Sequence, residues 1–132
     1  MIEYLNTINS HTAATKTVKI PVGDEESLMA GSVCQMSGGI LTKNYTAGKT
    51  AYLTLEGKNP GDGKDAIECI RLAVGMVLRG DVMSGTASLK FGDHIDFTQD
   101  TLEYYNLFSS TGTALEVIAK DDTYATVIVN KI

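Results

Sequence analysis

Turn-forming residues recur about every ten positions along this chain, and the segments between them are short and rich in β-branched residues. No sustained helical period runs between the turns, so the pattern predicts an all-β fold, a small β-sandwich or β-barrel-like single domain. Thirteen glycines, two prolines and abundant threonine agree with many turns between short strands. The length of 132 residues suits one compact domain with a real core.

The strands are expected to begin at Thr17-Val18-Lys19-Ile20-Pro21-Val22, where Val18, Ile20 and Val22 alternate with other positions and Pro21 indicates an edge or a strand end. Leu28 to Met36 reads as the next strand. Ser37-Gly38-Gly39 then makes a tight hairpin with Ile40-Leu41-Thr42. Ala51 to Leu55 is another strand, closed by Gly57 to Lys64, a loop too polar and Gly-rich to be core. The most apolar stretch, Ala66 to Val82, would be interrupted as a helix by Gly75 and fits two strands joined near Ala73-Gly75 better. Gly92-Asp93 makes a turn into a strand at His94 to Phe97. Asp121-Asp122 joins the final pair, Ala114 to Lys120 and Thr123 to Asn130, as a hairpin.

Met1 to Lys16 differs from the rest. It is polar, rich in Asn, Thr and Ser, and its apolar residues are confined to Ile2, Tyr4, Leu5 and Ile8. It reads as a flexible, extended N-terminal arm (residues 1–16) ahead of a β domain (residues 17–132), or equally as a frayed end. At ~3.3 Å per residue such an arm reaches about 50 Å, far enough to touch a neighbouring subunit.

Chemistry-bearing constellations are weak. Gly48-Lys49-Thr50 looks like the end of a phosphate-cradling loop, but Lys43 stands where that motif needs glycine, and a strand follows instead of a helix. Gly63-Lys64 fails the same spacing at Lys58. His11 and His94 are too far apart in the pattern to form a metal pair, and Asp24-Glu25-Glu26, Asp93 with Asp96, and Asp121-Asp122 lack the ligand spacing of a calcium loop. Cys34 and Cys69 sit in apolar strand contexts, which raise a thiol pKa, so both read as core residues kept reduced. The sequence is therefore expected to encode neither an enzyme nor a cofactor site. Adjacent Tyr104 and Tyr105 would point to opposite faces of a strand, exposing one of them as a possible contact residue. A net charge of -5 disfavours nucleic-acid binding. No apolar run approaches the ~20 residues of a membrane span, and the first residues lack the basic and apolar regions of an export signal.

The order of these features resembles the capsid decoration, or cement, proteins of tailed phages. A polar arm leads into Met29-Ala30-Gly31-Ser32-Val33, a Gly-Gly hairpin and a central hydrophobic pair over Ile67 to Val82. The chain then closes through Gly92-Asp93-His94-Ile95, Glu116-Val117 and Val127-Ile128-Val129. The resemblance covers most of the chain as a general pattern, not a diagnostic signature. It implies a β domain that binds the outside of an assembled head and stabilises it without catalysis, with the major capsid protein as partner. It further implies a homo-oligomer, commonly a trimer, located on the virion surface and in the host cytoplasm during assembly. In that reading the arm adds a strand to the capsid protein, with Ile2, Tyr4, Leu5 and Ile8 as capsid-binding residues. A phage tail, connector or fibre component, or a small ligand- or carbohydrate-binding β module built on the tyrosines and acidic loops, are the competing readings.

Overall fold

The structure, a computed structural model, describes residues 1–8 and 16–132. Among these residues there are twelve strands and no helix. The strands are β1 (Ile2–Thr7), β2 (Val18–Pro21), β3 (Val33–Ser37), β4 (Ile40–Thr42), β5 (Tyr52–Thr54) and β6 (Ala66–Arg71). They continue as β7 (Met76–Asp81), β8 (His94–Ile95), β9 (Phe97–Thr98), β10 (Leu107–Phe108), β11 (Leu115–Lys120) and β12 (Tyr124–Val129). One five-stranded sheet has the order β1-β7-β12-β11-β8, the other β2-β6-β5-β3-β4, and β9 pairs with β10. Every ladder between these strands is antiparallel. The all-β sandwich expected from the sequence is the observed fold.

The main core lies between the two sheets. Met76 and Leu78 of β7, Val127 and Val129 of β12, and Leu115 and Val117 of β11 meet Val33, Leu53 and Ile70 of the second sheet. A second apolar core sits on that sheet's other face, where Ile20, Val22, Leu28, Cys34, Leu41, Ile67 and Cys69 pack with Tyr52. Its outer strands come together there: Val22, just past β2, forms a parallel bridge with Leu41 of β4, so the sheet curls around this core. Having apolar contents on both faces explains why Val33-Cys34 and Cys69-Ile70 are buried as consecutive pairs.

The two hairpins form where their turn chemistry places them. Gly38 and Gly39 take φ of 61° and 80°, the left-handed pair that a two-residue turn between Ser37 and Ile40 requires. At the other, Asp121 Oδ1 accepts from the N–H groups of Thr123 and Tyr124, and Asp121 N–H donates to Tyr124 O.

Four expectations change. Ala66 to Val82 does form two strands, but they are no central pair: β6 and β7 lie in different sheets, and Ala73-Val74-Gly75 carries the chain across. Leu28 to Met36 is a strand only from Val33, because Gly31 at φ 77° turns the chain before it. Tyr104 and Tyr105 are not on a strand and neither is exposed. Asp100 Oδ1 gathers the N–H groups of Leu102 and Tyr104 into a turn, Tyr104 is buried with its hydroxyl 2.8 Å from Ser27 Oγ, and Tyr105 packs edge-on to Tyr45.

The fourth concerns the expected arm. Ile2–Thr7 is a strand of the sandwich, paired antiparallel with β7 from Ile2↔Gly80 to Thr7↔Met76. Ile2 belongs to the main core at 1% exposure. Its approach depends on two glycines: a Cβ on Gly80 would stand 3.1 Å from Ile2 Cγ1, and one on Gly31 3.0 Å from Ile2 O. The remainder of the arm call, including His11, falls on residues 9–15, which lie outside the described residues.

Candidate functional site

The side of the first sheet that faces away from the core is set by alternation. Since Met76 and Leu78 point inward, Val77, Arg79 and Asp81 lie on the outer face of β7, beside Tyr124, Thr126 and Ile128 of β12. Arg79 organises one end of this face. Its guanidinium stands 4.1 Å over the Tyr124 ring and donates to Glu3 and Asp121 at 3.4 and 3.3 Å. Both carboxylates raise the Arg79 pKa against a desolvation effect that lowers it, so the side chain is a fixed cation. At the other end Val77 is buried yet belongs to neither core, with Asn6 and Ile128 as its cross-strand neighbours.

β1 closes this sheet on one side and has β7 as its strand neighbour. The register slips between Tyr4 and Asn6, leaving Leu5 as the extra residue of a bulge. Bulges re-aim side chains, and Leu5 is 44% exposed. Ile8 follows, 41% exposed, its N–H donating to Gly75 O in the crossing between sheets, beside exposed Val74. Gly75 is held at φ 92° with Ile8 O only 2.9 Å from where a Cβ would be. The four residues expected to bind a capsid therefore separate. Ile2 is in the core, Tyr4 packs half-buried against it and shares a hydrogen bond with Thr7 Oγ1, and Leu5 and Ile8 face outward with Val74.

Burial raises the pKa of both thiols and of one tyrosine. Burial first, and then the neighbouring Cys69, push the Cys34 thiol up to about 12. Burial likewise takes Cys69 to about 12. Neither thiol presents a thiolate near neutral pH. Tyr45 is raised to about 12 by burial, reinforced by Asp96. His94 makes a surface contact with Glu116 at 3.5 Å. Among the described residues no group of three or more His, Cys, Asp or Glu is placed to hold a metal ion.

One residue escapes sequence reasoning altogether. Lys58, in the loop read as too polar for core, is buried at 1% exposure, and its ammonium donates to Asp24 O, Asn59 O and Asp62 Oδ1. A lysine in a Gly-rich loop gives no signal of burial. For β1 a signal does exist: Gly80 inside the run Met76 to Val82 marks a backbone that another strand approaches closely. No protein-family model matches the chain, and no curated protein matches it either.

Proposed function

We propose that this chain is a virion structural protein of a tailed phage, a head decoration protein that binds the outside of the assembled capsid and stabilises it without catalysis. The observation that carries the reading is the edge strand β1 of a five-stranded sheet, which exposes Leu5 at its bulge and Ile8 just past its end. An edge strand with apolar anchors suits β-strand addition, in which main-chain hydrogen bonds give affinity and side-chain pockets give specificity. The partner in this reading is the major capsid protein, contacted by Leu5 and Ile8 while Ile2 holds β1 in place. Repetition over a shell, with trimers at its symmetry positions, multiplies a small contact into stable attachment.

The test is the copy number of the chain relative to the major capsid protein in purified particles, measured by quantitative mass spectrometry. Near-stoichiometric incorporation supports decoration, a few copies per particle move the chain to the tail or connector, and absence from particles refutes a virion role. Deleting residues 1–16 does not test the contact cleanly, because it removes a core residue and a whole strand. The double variant Leu5→Glu/Ile8→Glu, altering exposed positions only, is expected to fold and to lose at least about tenfold in particle binding, a change of about 1.4 kcal/mol. Unchanged attachment would place the contact elsewhere on the domain.

A further inference from the structure

The Val22↔Leu41 bridge curls the second sheet into a small barrel, and the register of its strands assigns residues to two ends. At one end stand the start of β2 (Val18↔Cys69), the end of β6 (Arg71↔Tyr52) and the β3–β4 turn at Gly38-Gly39. At the other, β2 runs out past Val22 into Gly23-Asp24-Glu25-Glu26, β6 begins after Asp65, and β5 runs out to Leu55-Glu56.

The two ends carry opposite charge. The first presents Lys49 and Arg71, with Lys16 just ahead of β2, and its segments 16–18, 36–40, 49–52 and 71 contain no carboxylate. The second presents Asp24, Glu25, Glu26, Glu56 and Asp65, and Lys43 beside them lies 5.4 Å over the Tyr104 ring. Within the described residues, no ion pair or side-chain hydrogen bond engages Lys49, Arg71 or the carboxylates of Asp24 and Glu25. Apolar surface accompanies both groups. Val18 and Met36 are 39% and 43% exposed at the basic end, and Leu55 is 40% exposed at the acidic one.

We propose that these ends are complementary docking surfaces for a second copy of this chain, the basic end of one copy seating on Asp24-Glu25 of the next. Opposed potentials steer such an encounter and fix its orientation, while the apolar residues beside the charges supply contact area. A nucleic acid or a free anion would use only the basic end, and would meet the repulsion of a chain of net charge -5. That same net charge opposes self-association, so the contact is weak and rests on the local match. Because the two surfaces differ, the contact is heterologous and closes into a ring where the rotation between copies allows. No residue of β1 takes part, so this inference stands independently of the capsid reading.

The experiment is sedimentation velocity of the full chain at loadings from about 10 µM to about 1 mM in low salt, where screening weakens the contact least. Reversible association with Kd on the order of 100 µM is expected. Lys49→Glu/Arg71→Glu and Asp24→Lys/Glu25→Lys, all at exposed positions, should each weaken it at least about tenfold while keeping the far-ultraviolet circular dichroism of the parent. An equimolar mixture of the two variants should associate again, because each reversed end then meets its opposite, and that recovery shows both to be folded. Lys90→Glu/Lys131→Glu reaches the same net charge as the first variant at exposed positions outside both ends and should associate like the parent. A parent that stays monomeric throughout, end variants that associate like the parent, a mixture no better than its components, or a Lys90/Lys131 variant as impaired as Lys49→Glu/Arg71→Glu would each overturn the proposal.

Discussion

Replacing Lys58 by methionine separates the contribution of its charge from that of its bulk. The ammonium uses all three protons: Asp24 O and Asn59 O accept at 3.0 Å and Asp62 Oδ1 at 2.9 Å. Three charge-assisted hydrogen bonds at roughly 1.5–3 kcal/mol each sum to about 4.5–9 kcal/mol, and desolvating the ammonium opposes them by several kcal/mol. The partners are not orphaned in the variant, since Asp24 O keeps Gly61 N–H and Asn59 O keeps Asp62 N–H. The balance is a loss of about 2–3 kcal/mol for Lys58→Met. With an unfolding entropy of roughly 2.1 cal/mol/K per residue, that lowers Tm by about 7–11 °C for a domain of this size. Lys58→Ala also removes three buried methylenes and loses about 2 kcal/mol more. Urea denaturation followed by circular dichroism measures both variants. Lys64→Met, in which an exposed lysine loses its bond to Gly57 O and its 3.9 Å contact with Glu56, serves as control and should stay within about 0.5 kcal/mol of the parent. A Lys58→Met protein as stable as the parent would refute the reasoning, because desolvation would then outweigh the cage.

Ile2→Ala empties a site in the main core and is expected to cost about 2–4 kcal/mol by the same denaturation assay; a loss under about 1 kcal/mol would mean that β1 contributes little to the fold. Cys34 and Cys69, buried and with thiols near 12, should not react with a thiol-specific chromogenic disulfide at pH 8 until guanidinium unfolds the chain, so prompt reaction of the native protein would contradict their placement. Asp62 is held well below the usual carboxylate range, by Lys58 first and the N–H groups of Asn59 and Lys64 next, and Asp121 by the N–H groups of Tyr124 and Thr123. A depressed folded value means stability that is present above the unfolded carboxylate pKa of about 4 and lost as pH falls below it, so Asp62→Asn and Asp121→Asn should each flatten the acid limb of a stability–pH curve. An acid limb of unchanged slope would remove these groups as its cause.

Much of the fold is legible where one face of a strand is wet. Tyr124–Val129 alternates half-buried and buried residues without a break, and both hairpins announce themselves in Gly38-Gly39 and Asp121-Asp122. Legibility fails where a strand is buried on both sides. Cys69 and Ile70 are neighbours serving different cores, so periodicity does not reveal that β6 leaves β7 for another sheet. Long-range contact hides in the same way. Ile2 looks like one apolar residue in a polar stretch until Gly80 is seen as the gap it fills, and Lys58 looks solvated until Asp24 is brought beside it.

The pairing of β1 with β7 sets an order of events. A chain made from its N-terminus releases Ile2 long before Gly80, and closing a loop of roughly eighty residues is slow beside the microsecond formation of a hairpin. The β3–β4 and β11–β12 hairpins are local and can form at once. The ladder of β1 must wait for β7, and until the two meet the edge of β7 that β1 covers is an unoccupied template for strand addition. The order of manufacture thus makes the β1–β7 seam, and not the hairpins, the contact that chain length delays.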